Sequence, residues 1–195
     1  MARRPLTSRP LDLAYFSFFL MHTFATVVVD LQAIYPPHLI PSAMKGVVDY
    51  YLTTYNDPLI GGVMGFFGPA KADSFNWFET FVIMEAFFQL PSSSWACEGF
   101  TKVHSRTIYV LLLVYAASAT TTTLPCLTTI LATPVTPVPS ADPSSISVTP
   151  AQRLSLLTSY VPFLVVPLLM TIDMGFRVLS MVRVASSTAE REKRK

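Results

Sequence analysis

Four stretches of this chain are long and apolar enough to cross a lipid bilayer, and that property decides what it can fold into. A crossing takes about 20 mostly apolar residues as an α-helix, because hydrocarbon offers no water to satisfy the backbone N–H and C=O groups. The stretches cover about 13–35, 75–96, 107–131 and 154–184. The expected fold is all-α: a polytopic membrane protein built as a four-transmembrane-helix bundle. Residues 1–12 and 185–195 flank this domain, the latter as a basic tail. The composition agrees. Charged residues make up 13% of the chain, against about 25% in soluble domains. The first apolar run continues to Asp30 without a small-residue cleavage site, so it reads as a retained span rather than a signal peptide.

Several classes are excluded at this level. Apolar content of 51% excludes a disordered chain, and two cysteines exclude a disulfide scaffold. A net charge of +2 is too small for a nucleic-acid binder. Cys97 and Cys126 fit no metal spacing, and no H-E-x-x-H, P-loop or Ser-His-Asp order occurs, so no metal and no cofactor are expected. GGVMGFFGPA at 61–70 follows no strand and lacks the order of a dinucleotide fingerprint; it reads as a turn region.

The basic residues set an orientation. Arg3, Arg4 and Arg9 precede the first span, Lys102 and Arg106 lie between the second and third, and Arg183, Arg191, Lys193, Arg194 and Lys195 close the chain. The other side carries only Lys45, Lys71 and Arg153. Both termini are therefore expected in the cytosol, with 36–74 and 132–153 lumenal or external. Within the first of these loops, apolar residues recur near helical spacing from Ser42 to Tyr55, which predicts a short amphipathic helix with Ser42 as its N-cap. The Pro-, Ser- and Thr-rich 132–150 stretch predicts an extended, flexible loop.

Acids inside spans are the chemically informative residues, because a charge at mid-bilayer costs at least about 2.5 kcal/mol. Asp30 sits near the lumenal end of the first span, with His22 and Thr26 on its helix face at four-residue spacing. Glu85 sits in the middle of the second span with Gln89 one turn on. Two carboxyls in one dry pocket do not both ionise. The expected state is a protonated Glu85 donating to an ionised Asp30, which leaves one negative charge for a cationic ligand. The two acids differ in expected depth by roughly 8 Å at 1.5 Å per residue; an unwound end near Tyr35-Pro36-Pro37 would close that gap. Asp173 reads as an i,i+4 partner of Arg177, His22 as a hydrogen-bonded helix contact, and Asp57 in NDPL as a turn or capping residue. Pro91, Pro125, Pro162 and Pro167 are expected to kink spans and free carbonyls, which favours an internal cavity.

The runs HTFATVVVDLQAIYP (22–36), NDPL (56–59), WFETFVIMEAFFQLP (77–91) and LSLLTSYVPFLVVPLL (154–169) together resemble the sigma-2 receptor family of the EXPERA group, which has the emopamil-binding sterol isomerase as a relative. Fungal members of that family include one named for efficient mitochondrial targeting. The resemblance implies a four-helix bundle in the endoplasmic reticulum, often dimeric, with a sterol-accessible pocket. It implies that Asp30 binds a ligand amine, that Glu85 hydrogen-bonds Asp30, and that Gln89, Thr123 and Tyr160 line the pocket. Phe163 stands where the family has a second tyrosine, so one hydroxyl is lost. Asp57 is implied in ligand binding through structure. The tail REKRK, with Arg191 and Lys193, resembles a dilysine retrieval signal with one Arg substituted.

Three functions follow as expectations. The first is a non-enzymatic binder of sterols and cationic amphiphiles that assists sterol or protein trafficking, with membrane lipids, a second copy of itself and trafficking clients as partners. The second is a sterol isomerase. The resemblance puts that enzyme's histidine at the position of Phe81, which cannot transfer a proton, so the binder is preferred. The third is a membrane chaperone or partner protein without a small ligand.

Overall fold

The computed structural model describes residues 5–102, 108–138, 142 and 145–194. Arg3, Arg4, His104, Arg106 and Lys195 lie outside them. Helix α1 (Pro10–Val28) opens with Pro at its first position and Asp12 in its first turn, both favourable at a helix N-terminus. It passes into a 3₁₀ turn, Asp30–Ala33. Helix α2 (Ser42–Tyr55) ends at Asn56, whose left-handed backbone (φ 50°) lets its N–H close on the Leu52 carbonyl. Short helices α3 (Pro58–Val63) and α4 (Pro69–Ala72) follow. Helix α5 (Asn76–Met84), a π-helical turn (Glu85–Gln89) and helix α6 (Leu90–Lys102) are continuous. Helices α7 (Ile108–Ala132) and α8 (Pro150–Lys193) complete the chain; α8 starts with a Thr149–Gln152 capping box.

Among the described residues, three helical stretches are long and apolar enough to cross a membrane: Pro10–Ala33, Ile108–Ala132 and Pro150–Lys193. The second expected span is helical over 76–102 but is not one regular helix. Pro91 supplies the reason: it has no N–H and crowds the carbonyl one turn back, and the helix widens into the π turn just before it. Pro125 lies inside α7, and Pro162 and Pro167 lie inside α8, each helix running on past them. Pro167 cannot bond the Phe163 carbonyl, and the Thr123 hydroxyl of α7 reaches that carbonyl instead (3.4 Å). Large apolar side chains face outward, with Phe87 80%, Phe176 69% and Phe24 68% exposed. That pattern suits hydrocarbon as solvent.

Two local expectations are corrected. Ser42 is the first helical residue of α2, not its cap; Pro41 stands at the cap and no side chain caps there. The described parts of 132–150 are held in place: Val135 and Val148 form a parallel bridge, Val148 is buried, and Asn56 Nδ2 donates to the Ser147 carbonyl at 2.6 Å. Backbone bonds from distant residues, invisible in composition, tie this stretch down. The tail from 185 continues α8 as helix to Lys193. At 1.5 Å per residue, α8's 44 residues extend about 66 Å, roughly twice a ~30 Å hydrocarbon core.

Two apolar cores form. One gathers Leu31, Val48, Leu52, Leu59, Ile60 and Val82 around α2, α3 and α5. The other gathers Phe19, Leu112, Tyr115, Met170 and Met174 between α1, α7 and α8. The second is clasped by ion pairs. Arg177 reaches Asp173 (2.8 Å), Asp12 (3.5 Å) and the Tyr109 ring, while Arg9 bonds Asp12 (2.9 Å) and the Phe100 carbonyl. The expected Asp173–Arg177 pair is thus part of a larger α1–α8 link.

Helix α3 packs so closely that a β-carbon on Gly62 would lie 2.5 Å from the Phe75 ring. Gly62→Ala is expected to destabilise by about 1–3 kcal/mol through overpacking. A thermal melt in detergent checks it, and an unchanged midpoint would show that the ring moves freely.

Candidate functional site

A cavity of about 210 Å³ lies where the two cores meet. Helix α1 contributes His22, the 3₁₀ turn Asp30, the π turn Glu85 and Gln89, α7 Thr123 and Cys126, and α8 Tyr160 and Phe163. Six expected ligand residues, Asp30, Glu85, Gln89, Thr123, Tyr160 and Phe163, therefore face one space. The two irregular turns carry the two acids. The α-helical part of α1 stops at Val28, earlier than Tyr35-Pro36-Pro37, so the break that brings Asp30 to the cavity falls at Asp30 itself.

The expected Glu85–Asp30 hydrogen bond is not present. The Glu85 carboxylate is held from α1: Thr26 Oγ1 donates to Oε1 at 2.5 Å and His22 Nε2 lies 2.8 Å from the same oxygen. The physical reason is one of register. His22 and Thr26, four residues apart, point along one helix face at the π turn, and both are buried. Tyr115 of α7 contacts His22 Nδ1 at 2.6 Å, so in the tautomer with hydrogen on Nε2 the phenol donates and the ring passes its own N–H to Glu85. Phe18 stacks on the imidazole at 5.7 Å and Phe163 tilts against it at 5.4 Å. His22 and Thr26 thus hold Glu85 from α1, and His22 also lines the cavity. Asp30 is different. Among the described residues, no donor hydrogen-bonds its carboxylate.

Asp57 stands behind the cavity wall, fully buried. Its Oδ1 accepts from the Leu59 and Ile60 amides (2.7 and 3.3 Å), capping α3 as expected for NDPL. Its Oδ2 accepts from the Tyr51 and Tyr160 hydroxyls (2.5 and 2.8 Å). Burial pushes this carboxyl above its usual range, and the four donors oppose that. Burial and the Asp57 charge push the Tyr51 phenol up, so it keeps its hydrogen and donates. Arg191 and Lys193 are exposed in the last turn of α8, well away from the cavity.

Sequence reasoning missed Tyr115, Tyr51 and Cys126. Tyr115, Ala119, Thr122 and Cys126 recur at spacings of four, three and four, which was a readable signal for one inward face of α7. Removing the Tyr115 hydroxyl leaves His22 Nδ1 without its donor; Tyr115→Phe is expected to lower stability by about 1 kcal/mol. Calorimetry beside wild type checks this, and no change would mean that another donor reaches the ring.

The profile of the family described as EXPERA (EXPanded EBP superfamily) matches residues 43–174. The chain belongs to the EXPERA family. It is 31% identical to Sigma intracellular receptor 2 of Xenopus tropicalis over 169 residues, covering 87% of this chain and 90% of the relative. The human Sigma intracellular receptor 2 is 29% identical over 170 residues, with the same two coverages, 87% and 90%. Efficient mitochondria targeting-associated protein 19 of Schizosaccharomyces pombe is 27% identical over 184 residues, covering 94% of this chain and 85% of the relative. The resemblance to the sigma-2 receptor family therefore holds across most of the chain. Asp57, Glu85, Gln89, Thr123, Tyr160 and Phe163 fall inside the EXPERA match, while His22, Thr26 and Asp30 on α1 and its 3₁₀ turn precede it.

Proposed function

We propose that this EXPERA protein is a non-enzymatic membrane protein of the endoplasmic reticulum that binds sterols and cationic amphiphiles in the cavity and assists sterol or protein trafficking. The observation that carries this reading is Asp30: a carboxyl group facing an apolar cavity that accepts no hydrogen bond from the described residues, beside a second acid held through one oxygen by Thr26 and His22. Such an acid suits an external cation. The helical 76–102 segment serves as the second of four spans, with α1, α7 and α8 as the others and both termini cytosolic. The name of the fission-yeast relative supports a trafficking role that includes mitochondrial precursors, and the sigma receptor relatives support a small ligand. A homodimer fits the same reading. The exposed Arg191 and Lys193 serve as the retrieval signal. Replacing both with Ala is expected to move a tagged protein beyond the endoplasmic reticulum, and unchanged localisation would remove that role.

Saturable binding of a radiolabelled cationic amphiphile to the purified protein in detergent, competed by sterol, tests the main reading. Binding that never saturates would overturn it.

One observation favours a second reading. The isomerase resemblance places a histidine at Phe81, but His22 reaches Glu85 from α1 and supplies an imidazole–carboxylate pair at the cavity wall. Proton transfer to and from a sterol double bond needs a proton donor and a proton acceptor at the cavity wall, roles these two groups could divide. Incubating the protein with a Δ8 sterol and looking for the Δ7 product separates the two: no turnover keeps the binder, and turnover lost in His22→Ala makes it an isomerase.

A further inference from the structure

Gln32 lies two residues beyond Asp30, in the same 3₁₀ turn, and is buried. The last α-register bond of α1 runs from the Val29 N–H to the Ala25 carbonyl (2.8 Å). The Gln32 N–H then turns to the Val29 carbonyl at 3.1 Å, one residue short of α register. A continued α-helix would have brought that N–H to the Val28 carbonyl. The Gln32 side chain takes its place: Nε2 donates to the Val28 carbonyl at 2.6 Å. Nε2 also donates to the Met44 carbonyl, in the first turn of α2, at 2.8 Å. Both partners are carbonyls, so the amide nitrogen is the atom that faces them. One side chain thus repairs the break in α1 and pins it to α2, the helix that brings Tyr51 to the cavity wall.

We propose that Gln32 is a positioning residue: it holds open the helix break that sets Asp30 at the cavity. The inference rests on the ligand-binding reading above and adds to it a residue outside the cavity lining. Hydrocarbon supplies no water to an unpaired carbonyl, so a break in a membrane helix persists only where a side chain or a neighbour satisfies the freed group. Without the Gln32 amide, the nearest donor for the Val28 carbonyl is the backbone N–H of residue 32, regained by returning to α register. That return rewinds the turn from about 2.0 to about 1.5 Å of rise per residue. Asp30 opens the turn and shifts with it, and the tie to α2 is lost at the same time. His22 and Thr26 sit within the regular part of α1 and keep their hold on Glu85. Gln32 therefore acts on the Asp30 side of the cavity.

The test is a double-mutant cycle on the purified full-length protein, read as Kd for a radiolabelled cationic amphiphile. Gln32→Leu is expected to weaken binding about tenfold or more in the wild-type background. In the Asp30→Asn background the same change is expected to weaken it by less than about twofold, because the residue it positions is already neutral. Gln32→Asn carries the same amide on a shorter stem. It keeps a polar group at the position should Gln32→Leu fail to fold, and its loss is expected to depend on Asp30 in the same way. Equal losses in the two backgrounds would overturn the inference and give Gln32 a general role in the fold. Wild-type affinity in the Gln32 variants would also overturn it and leave the ligand-binding reading standing. If wild type shows no saturable binding of the amphiphile, the inference and the reading beneath it fail together.

Discussion

Asp30→Asn is expected to weaken binding of a cationic amphiphile by about a hundredfold or more while leaving the folded protein as stable as wild type. The two halves of this expectation have one cause. The Asp30 carboxylate accepts no hydrogen bond from the described residues, so its charge holds nothing together inside the fold. Against a protonated amine in a dry cavity the same charge is a buried partner, and truncating one member of such a pair costs about 2–5 kcal/mol or more. At 1.4 kcal/mol per tenfold, the middle of that range is two to three decades in Kd. Equilibrium binding and thermal unfolding on the same preparations check both halves. Binding within threefold of wild type would remove Asp30 from the site; a lost fold would show that Asp30 has a structural partner. Glu85→Gln provides the contrast, since Glu85 is tied to Thr26 and His22 and its replacement should lower stability as well as binding.

The largest stability effect is expected at Asp57. Asp57→Ala leaves the Leu59 and Ile60 amides and the Tyr51 and Tyr160 hydroxyls without their acceptor, all at a fully buried position. Stranded donors of this kind cost about 1–3 kcal/mol each, and with partial relaxation a net loss of about 3–5 kcal/mol is expected. For a chain of this size that is about 10 °C or more in thermal midpoint. Asp57→Asn should lose less, because its carbonyl can still cap α3 while the two phenols turn. Binding should fall in both variants, since Tyr51 and Tyr160 line the cavity from fixed positions. A loss below 1 kcal/mol for Asp57→Ala would mean that water replaces the carboxylate, and the wall would be wetter than these hydrogen bonds imply.

Much of this fold is legible in hydropathy because each membrane helix satisfies its own backbone and can be read alone. The helices at 10–28, 108–132 and 150–193, the short helix at 42–55, the Asp57 cap and the Asp173–Arg177 pair all come from local rules. What escaped was pairwise and non-local. Spacing put His22 and Thr26 on one face with Asp30, but nothing along the chain shows that this face meets Glu85. The π turn that carries Glu85 depends on how Pro91 is absorbed, either as a kink or as a wide turn, and the sequence permits both. The 132–150 stretch looked free because its anchors, the Val135–Val148 bridge and Asn56, lie on partners distant in sequence. At the site, residue types were readable and hydrogen-bond direction was not: a tyrosine reads the same whether its hydrogen faces a ligand or Asp57.

Photoaffinity mapping tests the central claim most directly. A cationic amphiphile bearing a diazirine is cross-linked to the purified protein with and without excess unlabelled ligand, and the adducts are located by mass spectrometry. The account predicts competed adducts on the cavity wall, at Glu85, Tyr51 or Tyr160, that vanish in Asp30→Asn. Adducts confined to outward-facing residues such as Phe87 and Phe176, and insensitive to competitor, would contradict it.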